Sequence, residues 1–376
     1  MKPSLCALTT SLLSVHAIVD AATAHLDMEP QNMTRPSPSG PLAPSPLPPP
    51  GPASHGEEIV RQLRTLTRAN ISRLTLVKTI PLEGDVWEPE GIVRLAAPRN
   101  EAADDDEAAE EERFWVSAGE YTTPTEKYPE WRDGTDRSAG AGFAHFLVFD
   151  GTGQRVGDWV VSAEGDDEYH NGGIDYDGRY IWATLSQYRP NSTGTVVRVD
   201  PAEVAMEKLF RVDDHQGGIV HDTSTGTLTT LNWGGRKARR WNVASGRRVQ
   251  HHDDDDKQVQ LRGSGVAAPG AEVVNPSHWI DYQDCKALGR VGGRELMLCS
   301  GIATLAAGVE VGGLAVVDAE TLVPVWEVPF MERAGRVLVT KNPMDVALVG
   351  GRVRLYFAPE ERTGAVCVYE LRGGVR

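Results

Sequence analysis

Five segments of this sequence open with a polar side chain that can bind a metal ion or move a proton. The openings are Glu88, His170, His215, His278 and Asn342, and two of them share the pattern His-x-Gly-Gly-Ile. Three neutral imidazoles with an open position suit Zn²⁺, Fe²⁺ or Cu²⁺, and a nearby carboxylate can add a ligand or act as a general base. We therefore predict a divalent metal site formed by the three histidines, with Glu88 beside it.

Other polar and aromatic residues follow these openings closely. Glu90 lies two positions after Glu88, and these two carboxylates are the predicted catalytic residues. Polar groups near a histidine can fix its tautomer, and a neighbouring tryptophan can line a pocket. The predicted binding residues are Trp279, Asp281, Asn342 and Asp345.

Short strands and turns surround each opening. Between His170 and Val212, four runs rich in apolar, β-branched or aromatic residues are separated by turn residues such as Asp177-Gly178. The same meander recurs five times along the chain, which is the pattern of a β-propeller, an all-β fold. We predict five four-stranded blades, with six as the alternative count.

The ring is predicted to close through the two ends of the propeller segment. The fifth repeat has no fourth strand before the C-terminus, and Leu74 to Leu82 forms a strand with no partner nearby in sequence. Pairing this strand with the last blade removes the exposed edges of a linear array. In the third repeat, the predicted fourth strand is Arg247 to Gln250.

The first strand of each blade lines the channel of a propeller, so closure would bring the five openings to one level. There the histidines can form a ligand site, or they can hydrogen-bond the backbone of adjacent blades. Paired glycines allow close approach in either arrangement, and both interpretations stay open at this point. The long loop from Glu120 to Gly142 is rich in aromatic and polar residues and can cover the channel.

Composition divides the chain into segments. Residues 1–24 have the basic start, apolar core and Ala-x-Ala site of a signal peptide, so we expect a secreted, extracellular protein. The following segments are a Pro/Ser-rich linker at 25–56, a short helix and connector at 57–73, and the propeller at 74–376 with acidic insertions at 99–113 and 251–276.

The net charge indicates which kinds of partner this protein can bind. A net charge of −15 argues against nucleic-acid binding, which needs a basic face. We expect no membrane span and a monomer.

Cys285 and Cys299 lie on predicted neighbouring strands and would pair in an oxidising compartment, leaving Cys367 buried, whereas three free thiols are the alternative. Three sequons, which begin at Asn32, Asn70 and Asn191, predict a glycoprotein.

Several segments carry a resemblance to a known family. They are EPEGIVRL, SAGEYT, HNGGIDYDGRYIWATLSQY, HQGGI and HWIDYQDC. The chain from about Leu74 onward resembles an uncharacterised family of secreted or lipid-exported β-propellers of fungi and bacteria, a domain of unknown function. A more distant similarity links the meander to propellers of the lactonase and strictosidine-synthase kind. Both resemblances imply a fold and transfer no catalytic residue.

The leading functional hypothesis is a small-molecule site at the channel mouth, with metal-assisted hydrolase or lyase chemistry. One alternative is a non-enzymatic extracellular propeller that binds a partner through its loops. A second is a glycoside hydrolase that uses paired carboxylates, drawn from Glu90, Asp175, Asp281 and Asp345. The expected ligand is accordingly a small molecule or a carbohydrate.

Overall fold

The structure is a computed structural model that describes residues 55–96, 112–243 and 272–373, together with the backbone of His25–Asp27. The predicted signal peptide, most of the predicted linker and most of both acidic insertions lie outside these residues. The predicted strand Arg247 to Gln250 and the sequon at Asn32 also lie outside them.

The first elements of the chain precede the ring and form its first two blades. Those before the ring are β1 (His25–Asp27), α1 (Gly56–Leu63), a 3-10 turn (Ile71–Arg73) and β2 (Leu74–Pro81). Blade 1 and its hairpin consist of β3 (Glu88–Leu95), β4 (Arg113–Thr123), β5 (Lys127–Arg132), β6 (Thr135–Arg137), β7 (Ala141–Asp150) and β8 (Arg155–Val160). Blade 2 consists of β9 (His170–Asn171), β10 (Asp175–Tyr176), β11 (Ile181–Ser186), β12 (Gly194–Asp200) and β13 (Ala205–Val212).

The remaining three blades complete the ring. Blade 3 consists of β14 (Gly218–Asp222), β15 (Thr227–Leu231), β16 (Lys237–Asn242) and β17 (Val273–Val274). Blade 4 consists of β18 (Asp281–Val291), β19 (Arg294–Thr304), β20 (Glu310–Asp318) and β21 (Pro324–Pro329). After a small hairpin of β22 (Arg333–Ala334) and β23 (Val337–Leu338), blade 5 consists of β24 (Met344–Val349), β25 (Arg352–Phe357), β26 (Ala365–Leu371) and β2. Two further 3-10 turns are Trp233–Gly235 and Ala306–Gly308.

This arrangement confirms the predicted five-bladed all-β propeller and its closure. Strand β2 pairs with β26 from Leu74 opposite Leu371 to Pro81 opposite Ala365. Central strands such as β4 and β11 carry apolar residues on both faces because each blade is packed between two others. Within the segment predicted as a linker, the three residues of β1 add a further strand to the edge of blade 2.

Blade 3 differs from the sequence prediction at its outer edge. The fourth place in its sheet belongs to Val273–Val274, which pair with Ala238 and Lys237 of β16. These two residues lie inside the predicted insertion 251–276, so the insertion ends earlier than expected. Two β-branched residues are too short a run for the sequence pattern to distinguish from a loop.

A charged belt closes the axis of the propeller. Oδ2 of Asp284 on β18 accepts N–H groups from Ile92 of blade 1 and Met344 of blade 5 at 3.4 and 3.2 Å. Nζ of Lys286 lies 2.7 Å from the same carboxylate and donates to the carbonyl of Ile174 in blade 2. These charged residues therefore link blades along the axis, and His215 makes a link of the kind predicted as the alternative by hydrogen-bonding the carbonyl of Gln187 in the adjacent blade.

Two further aspartates extend this belt. Asp345 accepts the N–H of Arg94 at 2.6 Å, and Asp175 accepts N–H groups from His221 at 3.1 Å and Ala287 at 3.3 Å. All four charged side chains of the belt are buried. The axis below the channel mouth is thus occupied by buried charged side chains that bond one another and the backbone of neighbouring blades.

Covalent and apolar contacts support the frame. The predicted disulfide between Cys285 and Cys299 is confirmed, joining β18 to β19, and Cys367 is a buried free thiol. Helix α1 buries Ile59 and Leu63 against the apolar cluster of blades 4 and 5. Within the described part of the chain, no helix has the length and apolar character needed to cross a membrane.

Candidate functional site

Three of the residues singled out in the sequence meet at one end of the axis. The metal-ligating atoms of Glu88, Glu90 and His170 all lie within 4.8 Å of one another. Both glutamates belong to β3, where the pairing with β4 shifts between Pro89 and Gly91 and leaves Glu90 as the extra residue of a β-bulge. His170 begins β9, so these ligands sit at the starts of two inner strands. We name these three residues, Glu88, Glu90 and His170, the mouth cluster.

Two tyrosines hold the carboxylate of Glu88. The hydroxyl of Tyr121 donates to Oε2, and the hydroxyl of Tyr188 donates to Oε1 at 3.3 Å. The Tyr121 hydroxyl also lies 3.4 Å from Nδ1 of His170. Groups that bridge two ligands in this way fix their orientation, as second partners of metal ligands commonly do.

The surroundings of the mouth cluster disfavour uncompensated negative charge. Burial, together with repulsion from Glu88, raises the pKa of Glu90 well above its ordinary value. Burial also raises the pKa of Glu88, although the hydrogen bond from Tyr121 acts in the opposite direction. Burial and the neighbouring His215 lower the pKa of His170 well below its ordinary value. Two close carboxylates and a neutral imidazole are donors that a divalent cation would satisfy.

His215 lies beside the mouth cluster without joining its three ligand atoms. Its ring is 5.4 Å from that of His170 and 4.8 Å from that of Trp233. The N–H at Nδ1 donates to the carbonyl of Gln187 over 2.7 Å, and burial lowers the pKa of His215 to about 4. The ring is therefore neutral, and it forms part of the wall of the site.

His278 and its neighbours lie elsewhere, between blades 3 and 4. His278 is exposed, with Nδ1 3.4 Å from a guanidinium nitrogen of Arg236. Asp281 pairs with the same arginine at 3.1 Å. Trp279 packs against an apolar cluster, and its indole nitrogen lies next to Gly313.

The register of blade 4 explains this placement. Strand β18 begins only at Asp281, and its pairing with β19 shifts near Tyr282 and again near Ala287. The alignment of the repeats by residue type placed His278 at the level of the other openings, whereas its contact with Arg236 shows that it lies elsewhere. The structure brings together two of the three predicted histidines, and it does not bring His278 to them.

The two predicted residues of blade 5 have other contacts. Asn342 is buried, and its amide donates to the carbonyl of Pro359 over 3.3 Å. Asp345 belongs to the charged belt of the axis. Lys341, the residue before Asn342, was not singled out in the sequence. It pairs with Glu361 at 3.1 Å, and its positive charge acts to lower the pKa of both Glu88 and Glu90.

The long loop of blade 1 lies across the other loops at the mouth. It forms the hairpin of β5 and β6, whose Arg137 lies 4.6 Å from the ring centre of Trp233 and 5.6 Å from that of Tyr188. The side chain of Asn191 donates to the carbonyl of Gly134 in this hairpin. Sequence reasoning marked the loop as a possible cover, but it did not single out Arg137 and Tyr121, because their contacts with Trp233 and Glu88 join residues far apart in sequence.

A protein-family model matches most of this chain. Residues 115–371 match the model described as a family of unknown function (DUF6454). This protein belongs to that family. The assignment confirms the predicted resemblance to an uncharacterised propeller family, and the matched residues include His170, His215 and the whole charged belt. No curated protein matches the chain.

Three solved structures resemble this chain at low sequence identity. A hypothetical protein from Leishmania major is 10% identical with a TM-score of 0.39, covering 82% of this chain and 94% of that one. A putative 6-phosphogluconolactonase from Bacteroides uniformis is 10% identical with a TM-score of 0.32, covering 72% and 71%. Hydrazine synthase of Kuenenia stuttgartiensis is 11% identical with a TM-score of 0.31, covering 62% of this chain and 61% of that one. Likeness at this level does not bear on activity.

Proposed function

We propose that this protein binds a divalent metal ion through Glu88, Glu90 and His170 and uses it for hydrolase or lyase chemistry on a small molecule. The observation that carries this proposal is the approach of their three ligand atoms to within 4.8 Å of one another. Two carboxylates and one imidazole suit Zn²⁺, Fe²⁺ or Mn²⁺ and leave coordination positions open for water and substrate. His278 is not part of this ligand set.

The roles of the site residues follow from their contacts. A bound cation would act as a Lewis acid and lower the pKa of a coordinated water. Tyr121 and Tyr188 hold the Glu88 carboxylate in place. Because the belt fills the axis below the cluster, a ligand would approach from the side of the hairpin, past the rings of Tyr188 and Trp233. Such rings suit a small organic molecule or a carbohydrate.

The paired-carboxylate alternative has less support. Asp175 and Asp345 are occupied by backbone N–H groups of neighbouring blades. Asp281 pairs with Arg236 near the surface. Their carboxylates are thus committed to structural contacts, whereas those of Glu88 and Glu90 converge on an imidazole.

Secretion and glycosylation belong to the same proposal. The N-terminal signal pattern and the Cys285–Cys299 disulfide support an oxidising, extracellular location. Asn191 is the best-placed sequon because it is exposed in the turn between β11 and β12, although its side-chain nitrogen also donates to the carbonyl of Gly134. Secretion of the full chain from a eukaryotic host, with mass mapping of the mature N-terminus and of Asn191, checks both expectations.

Metal content tests the function directly. The mature protein is purified without chelators and measured by mass spectrometry of its metals, as wild type, Glu90→Gln, His170→Ala and His278→Ala. We expect near-stoichiometric transition metal in the wild type and in His278→Ala, and its loss from the other two variants. A wild type that holds no metal even after reconstitution would refute the proposal and favour a non-enzymatic binding propeller.

A further inference from the structure

The hairpin of blade 1 joins three blades at the mouth. It leaves and re-enters the propeller through β4 and β7, but its contacts are with the loops of the next two blades. Arg137 lies over Trp233 of blade 3 and Tyr188 of blade 2, and Gly134 accepts a hydrogen bond from Asn191. At the exit of the hairpin, the carbonyl of Ala139 accepts the hydroxyl of Tyr169 at 2.7 Å.

The residues beneath these contacts are closed off from solvent. His170 and His215 are 2% and 3% exposed. Tyr188, on which Arg137 rests, is the same residue that donates to Glu88. The ring of Tyr169 lies 5.6 Å from that of Tyr121, the other donor to Glu88. The hairpin therefore rests on the aromatic residues that enclose the mouth cluster.

The hairpin is held more weakly than the blades. Its own strands pair only at Lys127 with Arg137 and at Arg132 with Thr135. Most of β5 is exposed, including Trp131 at 63%. A segment with few buried contacts can open locally while the sheets below it stay folded.

Arg137 supplies the contact that crosses blades. Asp136 fixes the guanidinium through two hydrogen bonds, of 2.9 Å at Nε and 3.0 Å at Nη2. The charge then lies over two aromatic rings from two other blades, an attraction that strengthens as water is excluded. Arg132 is the natural comparison, since it stacks at 4.9 Å on Tyr128 of the same hairpin and so joins nothing across the mouth.

We infer that the β5–β6 hairpin is a cover over the mouth cluster, that ligands reach the cluster only when the hairpin swings away, and that Arg137 is the latch that keeps it closed. The inference concerns access to the site of the proposed function. Its first test does not require that a metal binds.

The first test measures access to the histidines themselves. Metal-free mature protein is treated with diethyl pyrocarbonate, and acylation of each imidazole is followed by mass spectrometry in wild type, Arg137→Ala and Arg132→Ala. We expect Arg137→Ala to label His170 and His215 about 2- to 30-fold faster than wild type, the range that loss of a cation–π contact allows. Arg132→Ala should label them at the wild-type rate.

Two other histidines serve as internal references. Exposed His278 should react quickly in every variant, and His221, whose side chain is 10% exposed at the far end of the axis, should react slowly in every variant. Labelling of His170 and His215 at the wild-type rate in Arg137→Ala would overturn the inference. Equal acceleration at His221 would overturn it as well, because it would show opening of the whole molecule.

The second test uses Zn²⁺ as the probe. Transfer of Zn²⁺ from the loaded protein to a chromophoric chelator should accelerate in Arg137→Ala by the same factor as the labelling, with the equilibrium affinity unchanged. A cover speeds entry and exit equally, whereas a ligand changes the affinity. If the wild type binds none of Zn²⁺, Fe²⁺ and Mn²⁺, the proposed function fails, and the labelling result still decides whether the hairpin is a latched cover.

Discussion

Tyr121 links two of the three proposed ligands at the scale of single residues. Its hydroxyl donates to Glu88 and lies 3.4 Å from Nδ1 of His170. Burial and the adjacent Glu88 raise the pKa of Tyr121 well above its ordinary value, so the hydroxyl keeps its proton. The hydroxyl donates this proton to Glu88, and its oxygen can accept an N–H from His170, so that one group orients both side chains.

This arrangement predicts the effect of removing one oxygen atom. Tyr121→Phe should weaken metal binding about 10- to 100-fold, the usual effect of losing a group that orients metal ligands. Competition titration against a chromophoric chelator measures the affinity, and Tyr128→Phe on the outer hairpin is the matched control. An unchanged affinity in Tyr121→Phe would show that Glu88 and His170 are held in place without it.

Elements were predictable where the pattern was local. The turn dipeptides and apolar runs indicated the strands of each blade, and pairing of β2 with β26 followed from counting strands in the last repeat. The pattern failed at two places: His278, which precedes a strand with two bulges, lies beside Arg236 away from the mouth, and a two-residue strand forms the outer edge of blade 3. A bulge changes pairing without changing the residue types that a sequence pattern reads.

The disulfide between β18 and β19 predicts a measurable loss of stability. Its cysteines are 14 residues apart, and opening a loop of that size should lower the free energy of unfolding by about 3 kcal/mol in the chain-entropy model. Urea unfolding of the Cys285→Ala, Cys299→Ala double variant measures this loss. Reduction of the wild type should give a loss in the same direction, and equal stability with and without the bridge would contradict the prediction.

The belt of charges along the axis connects all five blades at the scale of the whole molecule. Asp284 joins blade 4 to blades 1 and 5, Lys286 joins it to blade 2, and Asp175 joins blade 2 to blades 3 and 4. Each contact is short-range in space but joins distant parts of the chain. Removing one of these side chains should therefore lower the free energy of unfolding of the whole ring rather than that of one blade.

Replacing Lys286 is the sharpest probe of this belt. Lys286→Met removes the only cation paired with Asp284 in the described structure, and an unpaired buried charge typically costs about 3–5 kcal/mol. Lys237→Met is the control, because its pair with Glu272 is partly exposed and should contribute about 0–1 kcal/mol. Urea unfolding of both variants compares them, and equal losses would argue against a structural role for the belt.

The belt also predicts how stability depends on pH. Burial raises the pKa of Asp175 and of Asp284 from 3.8 to about 7, against the opposing charge of Lys286. Between pH about 4 and about 7 the folded state therefore holds more protons than the unfolded state, so the free energy of unfolding should fall as pH rises through this window. Asp175→Asn should reduce that fall, measured by urea unfolding across the window. A slope identical to that of the wild type would contradict this assignment.

The sequence by itself determined the repeated meander, its closure into a ring and the positions of Glu88, Glu90 and His170 at strand starts, and it favoured five blades and the disulfide that the structure then showed. These features follow from local alternation, turn residues and repetition, which can be read along the chain. Only the tertiary structure decided that Glu90 lies with Glu88 and His170 while His278 does not, and that buried aspartates link the blades along the axis. Those outcomes depend on contacts such as Asp284 with Ile92 and Asp345 with Arg94, which are 192 and 251 residues apart in sequence. Which side chains meet on an axis is set by the register of each blade, and single-residue bulges alter that register without leaving a sequence signal.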